Sequence, residues 1–204
     1  MHVERVGDDV PDDVPDLTWE WSGLADRAAA EPTSLPAWRS LLAAATSRQY
    51  GVDVPPSMPE QFVLQWALQV AAEAGVHAAS HHAWVVHPAS AGLTFDLHPQ
   101  QLYPVRARFR QVSVTPALLE DRLEAARAAY LADGRRLALA EPARGRLGEH
   151  QRLALVDDVW AMTWARSRGQ GPVARGSCCF IYVLPGVHEC AGCPRLRRGA
   201  GGRG

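Results

Sequence analysis

The chain has 204 residues, 47% of them apolar, seven tryptophans and a formal charge of −1 at neutral pH. That is enough apolar side chain for a sizeable core, and one main domain with a small appended module is the natural count. A charge this close to balance gives no general ground for nucleic acid or an anionic membrane as a partner. The longest apolar stretch, 62 to 76, is broken by Gln65, Gln69 and Glu73, so no transmembrane segment is expected.

The N-terminal residues MHVERVGDDVPDDVPD place acidic residues where a secretory signal needs a positive region and an apolar core. A cytoplasmic protein is therefore expected. The proline-punctuated acidic run opposes regular structure, and residues 1 to 16 are read as a flexible arm ahead of a body spanning 17 to 172. Trp38, Leu41, Leu42 and Ala45 recur at helical spacing and predict a helix over 35 to 49. After Pro55-Pro56, the pattern Ser57-Met-Pro-Glu60 reads as a capping box opening a helix over about 58 to 79. Phe62, Val63, Trp66, Ala67, Val70 and Ala74 nearly surround that helix, which places it in the core.

Two extended runs follow, 83 to 87 and 93 to 97, and the five residues Pro-Ala-Ser-Ala-Gly between them suit an antiparallel hairpin. A third run, 103 to 114, alternates Val105, Ala107 and Phe109 with Arg106, Arg108 and Arg110, the period of a half-exposed strand. The arginines make one basic stripe, which reads first as a solvated sheet face and second as a dock for an anionic substrate or an acidic electron donor. Thr115-Pro116 is expected to open a helix with Leu119, Leu123, Ala126 and Tyr130 buried, stopped by Asp133-Gly134. A last helix is expected over 149 to 167 with a buried stripe of Leu153, Val156, Trp160 and Trp164. On that wheel Asp157 falls beside the stripe and Asp158 away from it, so Asp157 is the carboxylate expected to be buried, with an arginine as its ordinary partner. The fold class is α+β: a mostly helical body, a small antiparallel sheet and a short C-terminal loop module over 173 to 195. The basic, glycine-rich end, 196 to 204, reads as a solvated tail.

His77 and His81 lie one helical turn apart with His82 beside them, a spacing that can hold a metal, but no carboxylate or cysteine accompanies them and HEXXH is absent. GxxxxGK[ST], GxGxxG after a strand, GxSxG and internal repeats are absent as well, so nucleotide-driven and acyl-transfer chemistry lack their usual residues.

All four cysteines, Cys178, Cys179, Cys190 and Cys193, fall within sixteen positions in the spacing CC-x10-CxxC. Four such thiols form two disulfides, a zinc site or an iron–sulfur site. A reducing cytosol argues against disulfides. Neighbouring side chains on an extended strand point to opposite faces, which suits two metals better than one, although a turn at Cys178-Cys179 would let them converge. Spacing alone leaves iron–sulfur and zinc both open.

The run Arg175-Gly-Ser-Cys178-Cys179-Phe-Ile-Tyr-Val-Leu184-Pro185-Gly186, followed by Cys190-Ala-Gly-Cys193-Pro194, resembles the C-terminal [2Fe-2S] domain of the ferric-siderophore reductase family (FhuF-like). Looser similarity extends to Gly92-Leu-Thr-Phe-Asp-Leu-His98-Pro and to Val156-Asp-Asp-Val-Trp160-Ala-Met. The resemblance implies that Cys178, Cys179, Cys190 and Cys193 ligate a [2Fe-2S] cluster, that a strand ends at Leu-Pro-Gly, and that the substrate is a ferric siderophore. Arg175, Ser177 and His188 lie close enough in sequence to donate hydrogen bonds to the cluster sulfurs. With no nicotinamide or flavin motif visible, a ferredoxin or flavoprotein is the expected electron donor. The resemblance supplies no substrate-binding residue. An [2Fe-2S] electron carrier or redox sensor, and a zinc-stabilised interaction module, are the competing readings.

Overall fold

The computed structural model describes residues 1–5, 18–24, 27, 31–140 and 147–196. The acidic run 8–16 and the tail from 197 onward lie outside them. The elements in chain order are β1 (His2–Arg5), β2 (Trp19–Glu20), α1 (Leu35–Tyr50), α2 (Ser57–His81), β3 (Trp84–Val85), β4 (Thr94–Leu97), β5 (Pro104–Phe109), β6 (Ser113–Val114), α3 (Leu119–Leu139) and α4 (Glu149–Ser167). A single 3-10 turn, Ile181–Val183, follows in the cysteine segment. The α+β class is as expected.

Helix α2 is the axis of the molecule because it has no polar side broad enough to face water. Val63, Ala67, Leu68, Val70, Ala71 and Ala74 are fully buried, and α1, α3, α4 and strands β1, β3 and β5 pack around it. Helix α1 begins at Ser34, whose Oγ accepts from the Ala37 amide, and ends at Gly51, whose φ of 67° turns its N–H back to the Ser47 carbonyl. Its Trp38 joins Trp19 and Phe95 in an aromatic cluster with ring centroids 5.2 and 5.5 Å away. Two of the buried indole N–H groups find carbonyl partners, Trp21 to Ala67 at 2.7 Å and Trp38 to Leu102 at 2.9 Å, which offsets the cost of burying them.

The capping box at Ser57 does not form. Pro56 takes the position before the helix, Ser57 is already helical without a side-chain cap bond, and Glu60 is buried. Two turn bonds, Met58 N–H to Pro55 and Glu60 N–H to Pro56, start the helix instead.

The sheet departs from expectation in two ways. It is mixed, in the order β1-β5-β4-β2, with β1 parallel to β5 and the other pairs antiparallel. Residues His2–Arg5, at the head of the expected arm, therefore form an edge strand. The hairpin is β4–β5, while β3 pairs with β6 in a separate ribbon. The expected partnership of 83–87 with 93–97 loses because the segment between them is pulled two ways. The Ala89 amide donates to Asp133 on α3 at 2.8 Å, and the Ala91 carbonyl accepts from Arg110 and Gln111. On β5 Ala107 and Phe109 of the expected inward set are buried, while Val105 is only half-buried. Of the outward arginines, Arg108 is ion-paired with Asp96 on β4 and with Glu4 on β1 at 3.5 Å, so the stripe includes a sheet clamp.

Helix α3 starts at Leu119, after Leu118, because the Thr115 amide is held in the ribbon by the Ala83 carbonyl. Leu119 is 43% exposed, outside the stripe assigned to it. Gly134 does not stop the helix. It lies inside α3 at the crossing with α2 and α4, where an added Cβ would come within 3.1 Å of Leu68 and 3.2 Å of Val156. Helix α4 runs over the expected residues, and the Tyr130 hydroxyl donates to its Val156 carbonyl at 2.8 Å. Because Gly134 spaces three helices, Gly134→Leu should overpack the crossing and cost about 1–3 kcal/mol, lowering the melting temperature by about 2–4 °C per kcal/mol, read by calorimetry.

Candidate metal centre

The C-terminal segment is built onto α4 and α2 by a small number of polar contacts and one apolar seat. Helix α4 has two buried faces. Val156 and Trp160 turn toward α2 and α3; Gln151, Ala154 and Asp158 turn toward the segment that begins at Arg175. Asp158 accepts the Gly176 amide at 2.9 Å, the Ser177 amide at 2.7 Å and the Ser177 hydroxyl at 2.6 Å. Gln151 donates to the Cys178 carbonyl at 3.1 Å.

This overturns the expectation for the two aspartates. Asp157 is the exposed one and pairs with Arg127 at 3.6 Å; Asp158 is the buried one. The helical wheel placed Asp158 away from the stripe correctly, but that side is covered by chain from outside the helix, which periodicity does not register.

Arg175 is 4% exposed. Its guanidinium lies 3.9 Å from Asp158, donates to Gln65 on α2 at 2.9 Å and to Ser177 at 3.2 Å, and places Nη1 3.8 Å from Cys190 Sγ. Of the three residues expected to support the site, Arg175 touches a thiol. Ser177 acts through Asp158 and Arg175. His188 is exposed on the loop, without a hydrogen bond to a thiol among the described residues.

Two conformational features bring the cysteines together. Phe180, immediately after Cys179, has φ of 60° and turns the chain into the 3-10 turn, so the strand expected to end at Leu-Pro-Gly is not formed. Phe180 and Leu184 are then buried with Met58 and Leu147, against Phe62 of α2. In the CxxC loop Gly192 has φ of 82°, its carbonyl accepts the Arg175 amide at 3.0 Å, and an added Cβ would lie 2.2 Å from the Val173 carbonyl oxygen. Only glycine fits that close approach. Sequence reasoning passed over both Gly192 and Gln65; the glycine inside CxxC was a visible signal, whereas nothing local marks Gln65.

One pair of thiols meets directly: Cys179 donates to Cys190 across 3.4 Å. Cys179 and Cys193 are buried, and Cys178 and Cys190 are half-buried. Among the described residues no three His, Cys, Asp or Glu side chains gather round a single metal position. Burial, together with the hydrogen bond and charge of Cys179, pushes the Cys190 thiol up to about 11, while Arg175 pulls the other way. Burial also raises Cys178, opposed by the Phe180 amide and reinforced by Cys193. These thiols therefore hold their protons near neutrality and release them on taking a metal. Four soft thiolates with a buried cation beside one of them suit an iron–sulfur cluster, whose charge grows more negative on reduction.

Among the described residues His77, His81 and His82 do not converge as three ligands on one metal position. His77 lies 4.6 Å from His81 and 5.9 Å from His82, ring to ring, and His82 stacks on Trp84 at 3.9 Å. Burial lowers the His77 pKa, helped by its histidine neighbours, so it resists protonation.

Residues 175–195 match the family model described as the FhuF 2Fe-2S C-terminal domain. The cysteine-bearing end of the chain is thus FhuF-like, in agreement with the resemblance seen in its motif. A search of curated proteins finds no relative of the chain.

Asp158→Ala removes the acceptor of three donors beside a buried arginine, so it should cost about 3–5 kcal/mol, whereas Asp157→Ala should stay within about 0.5 kcal/mol; urea unfolding compares them. Gly192→Ala should displace the CxxC loop and lower the iron content of the purified protein well below that of the unsubstituted chain.

Proposed function

We propose that the protein reduces ferric iron held by a siderophore, using one electron at a time from a [2Fe-2S] cluster bound by Cys178, Cys179, Cys190 and Cys193. The observation that carries this reading is the coincidence of the FhuF 2Fe-2S match with Cys179 and Cys190 standing 3.4 Å apart beside a buried arginine, in the segment that also holds Cys178 and Cys193. A [2Fe-2S] cluster accepts and returns a single electron without proton or group transfer. The chain's part is to hold the ligands, to exclude water with Phe180 and Leu184, and to offset negative charge with Arg175. Siderophores bind Fe(III) far more tightly than Fe(II), so one electron suffices to loosen the metal.

A cleft of about 440 Å³ opens at Cys190, between the C-terminal end of α4 (Met162, Ala165, Arg166) and Gln170–Val173. It is roomy enough for the metal-bearing part of a chelate and has Cys190 in its lining, so we take it as the substrate's place. A smaller cavity of about 190 Å³ opens at Cys178, beside Tyr182 and Arg195. No helix among the described residues is long and apolar enough to cross a membrane. Reduced ferredoxin or a flavoprotein is the donor class that fits a chain without a nicotinamide-binding motif.

Anaerobic purification should yield about two iron and two sulfide per chain with visible absorption. The dithionite-reduced, desalted protein should release Fe(II) from a ferric trihydroxamate, trapped by a ferrous-specific chromophore. Fe(II) release from no hydroxamate, catecholate or citrate complex would leave an electron carrier or redox sensor. Zinc without acid-labile sulfide would leave a zinc-stapled interaction module.

A further inference from the structure

We propose that the four cysteines act as two unlike pairs, Cys179 with Cys190 on one iron and Cys178 with Cys193 on the other, and that Arg175 directs the reducing electron to the Cys179–Cys190 iron. This rests on the cluster reading above and goes further by giving the two irons different jobs.

The pairing comes from distance. Two thiolates on one tetrahedral metal, each bond about 2.3 Å long, lie about 3.8 Å apart. Cys179 and Cys190 stand at 3.4 Å, close to the separation for a shared ion. With Cys179 and Cys190 on one iron, Cys178 and Cys193 are left to complete the other, since each tetrahedral iron of the cluster takes two thiolates. The CC dipeptide and the CxxC loop are therefore both split, each sending one sulfur to either iron.

The asymmetry comes from charge. Reduction adds one negative charge to a site that four thiolates already make negative. On the Cys190 side that charge meets a guanidinium buried to 4% exposure, 3.8 Å from the sulfur and immobilised by Asp158, Gln65 and Ser177. A charge-assisted N–H···S contact in a poorly solvated site favours the more negative state of the iron it touches. On the other side the guanidinium of Arg195, which lies over the Tyr182 ring and pairs with Glu189 at 3.3 Å, is exposed, so water screens it where Arg175 is shielded. An external one-electron donor converts the Cys179–Cys190 iron from Fe(III) to Fe(II), and loss of that electron to Fe(III) in the chelate restores it. No bond is made or broken and no proton is needed. Cys190 also lines the larger cleft, so with the substrate placed there as proposed above, the reduced iron is the one nearer to it.

The unsubstituted protein, purified anaerobically and reduced with dithionite, provides the test. Paramagnetically shifted cysteine β-protons divide by temperature dependence into those on ferrous and those on ferric iron. Cys179 and Cys190 should share the ferrous class and Cys178 and Cys193 the ferric one. Arg175→Gln should lower the midpoint potential measured by voltammetry, and Arg175→Lys should recover part of the shift. Cys179 and Cys190 falling into different classes, or both into the ferric class, would overturn the proposal while leaving the reductase reading standing if Fe(II) release persists. An unchanged potential in a cluster-loaded Arg175→Gln protein would overturn Arg175's role. Failure of that variant to load leaves the proton classes as the deciding measurement, and zinc without sulfide removes this proposal together with the function it rests on.

Discussion

The carboxylate of Asp158 is the contact on which the C-terminal site depends. It gathers two backbone amides and a hydroxyl from Gly176 and Ser177 while standing 3.9 Å from the buried Arg175 guanidinium. A buried charge is tolerated only when its lone pairs and its countercharge are both answered, and here one chain segment answers both. The consequence is positional. Because α4 is a rigid helix packed on α2 and α3, whatever binds to Asp158 inherits that rigidity, and the residues bound to it run directly into Cys178 and Cys179.

Arg175 carries the same constraint outward. One guanidinium bridges Asp158 on α4, Gln65 on α2 and the sulfur of Cys190, so helix, cation and thiol form a single network. The planar fork matters, because three partners in different directions cannot be met by the point charge of a lysine. Around this polar frame the apolar seat of Phe180 and Leu184 closes one side, and the close approach of Gly192 to Val173 ties the CxxC loop to the segment before Arg175. The site is thus pre-shaped largely by packing and hydrogen bonds among groups other than the thiols, with the Arg175 contact to Cys190 added to them. Ligands held this way keep their geometry when charge arrives, which favours electron transfer over rearrangement.

Much of the body was readable. Helix α4 spans the residues expected of it, α1 differs by a single residue, and the nearly all-apolar surface of α2 marked it as central. The misreadings share a cause. Ser57 and Glu60 have the right types for a capping box, yet Pro55-Pro56 already supplies the turn bonds. Asp133-Gly134 looks like a helix stop, yet Asp133 is occupied by the Ala89 amide and Gly134 is needed where α2 and α4 pass close by. The 83–87 and 93–97 runs have a loop of hairpin length, but a longer strand at 104–109 competes for the same edge and wins. In each case a local pattern was valid and a distant partner displaced it.

The amino-acid sequence alone determined the number and spacing of the thiols, the arginine and serine ahead of them and the helical periods of the body, because these are properties of neighbours along the chain. The tertiary structure decided that Asp158 rather than Asp157 is buried, that Gln65 reaches Arg175, that β1 joins the sheet in parallel, and that Cys179 faces Cys190. Each of those facts sets a residue against a segment remote in sequence. Helical period shows which way a side chain points, but what meets it there is settled only when the rest of the chain has packed.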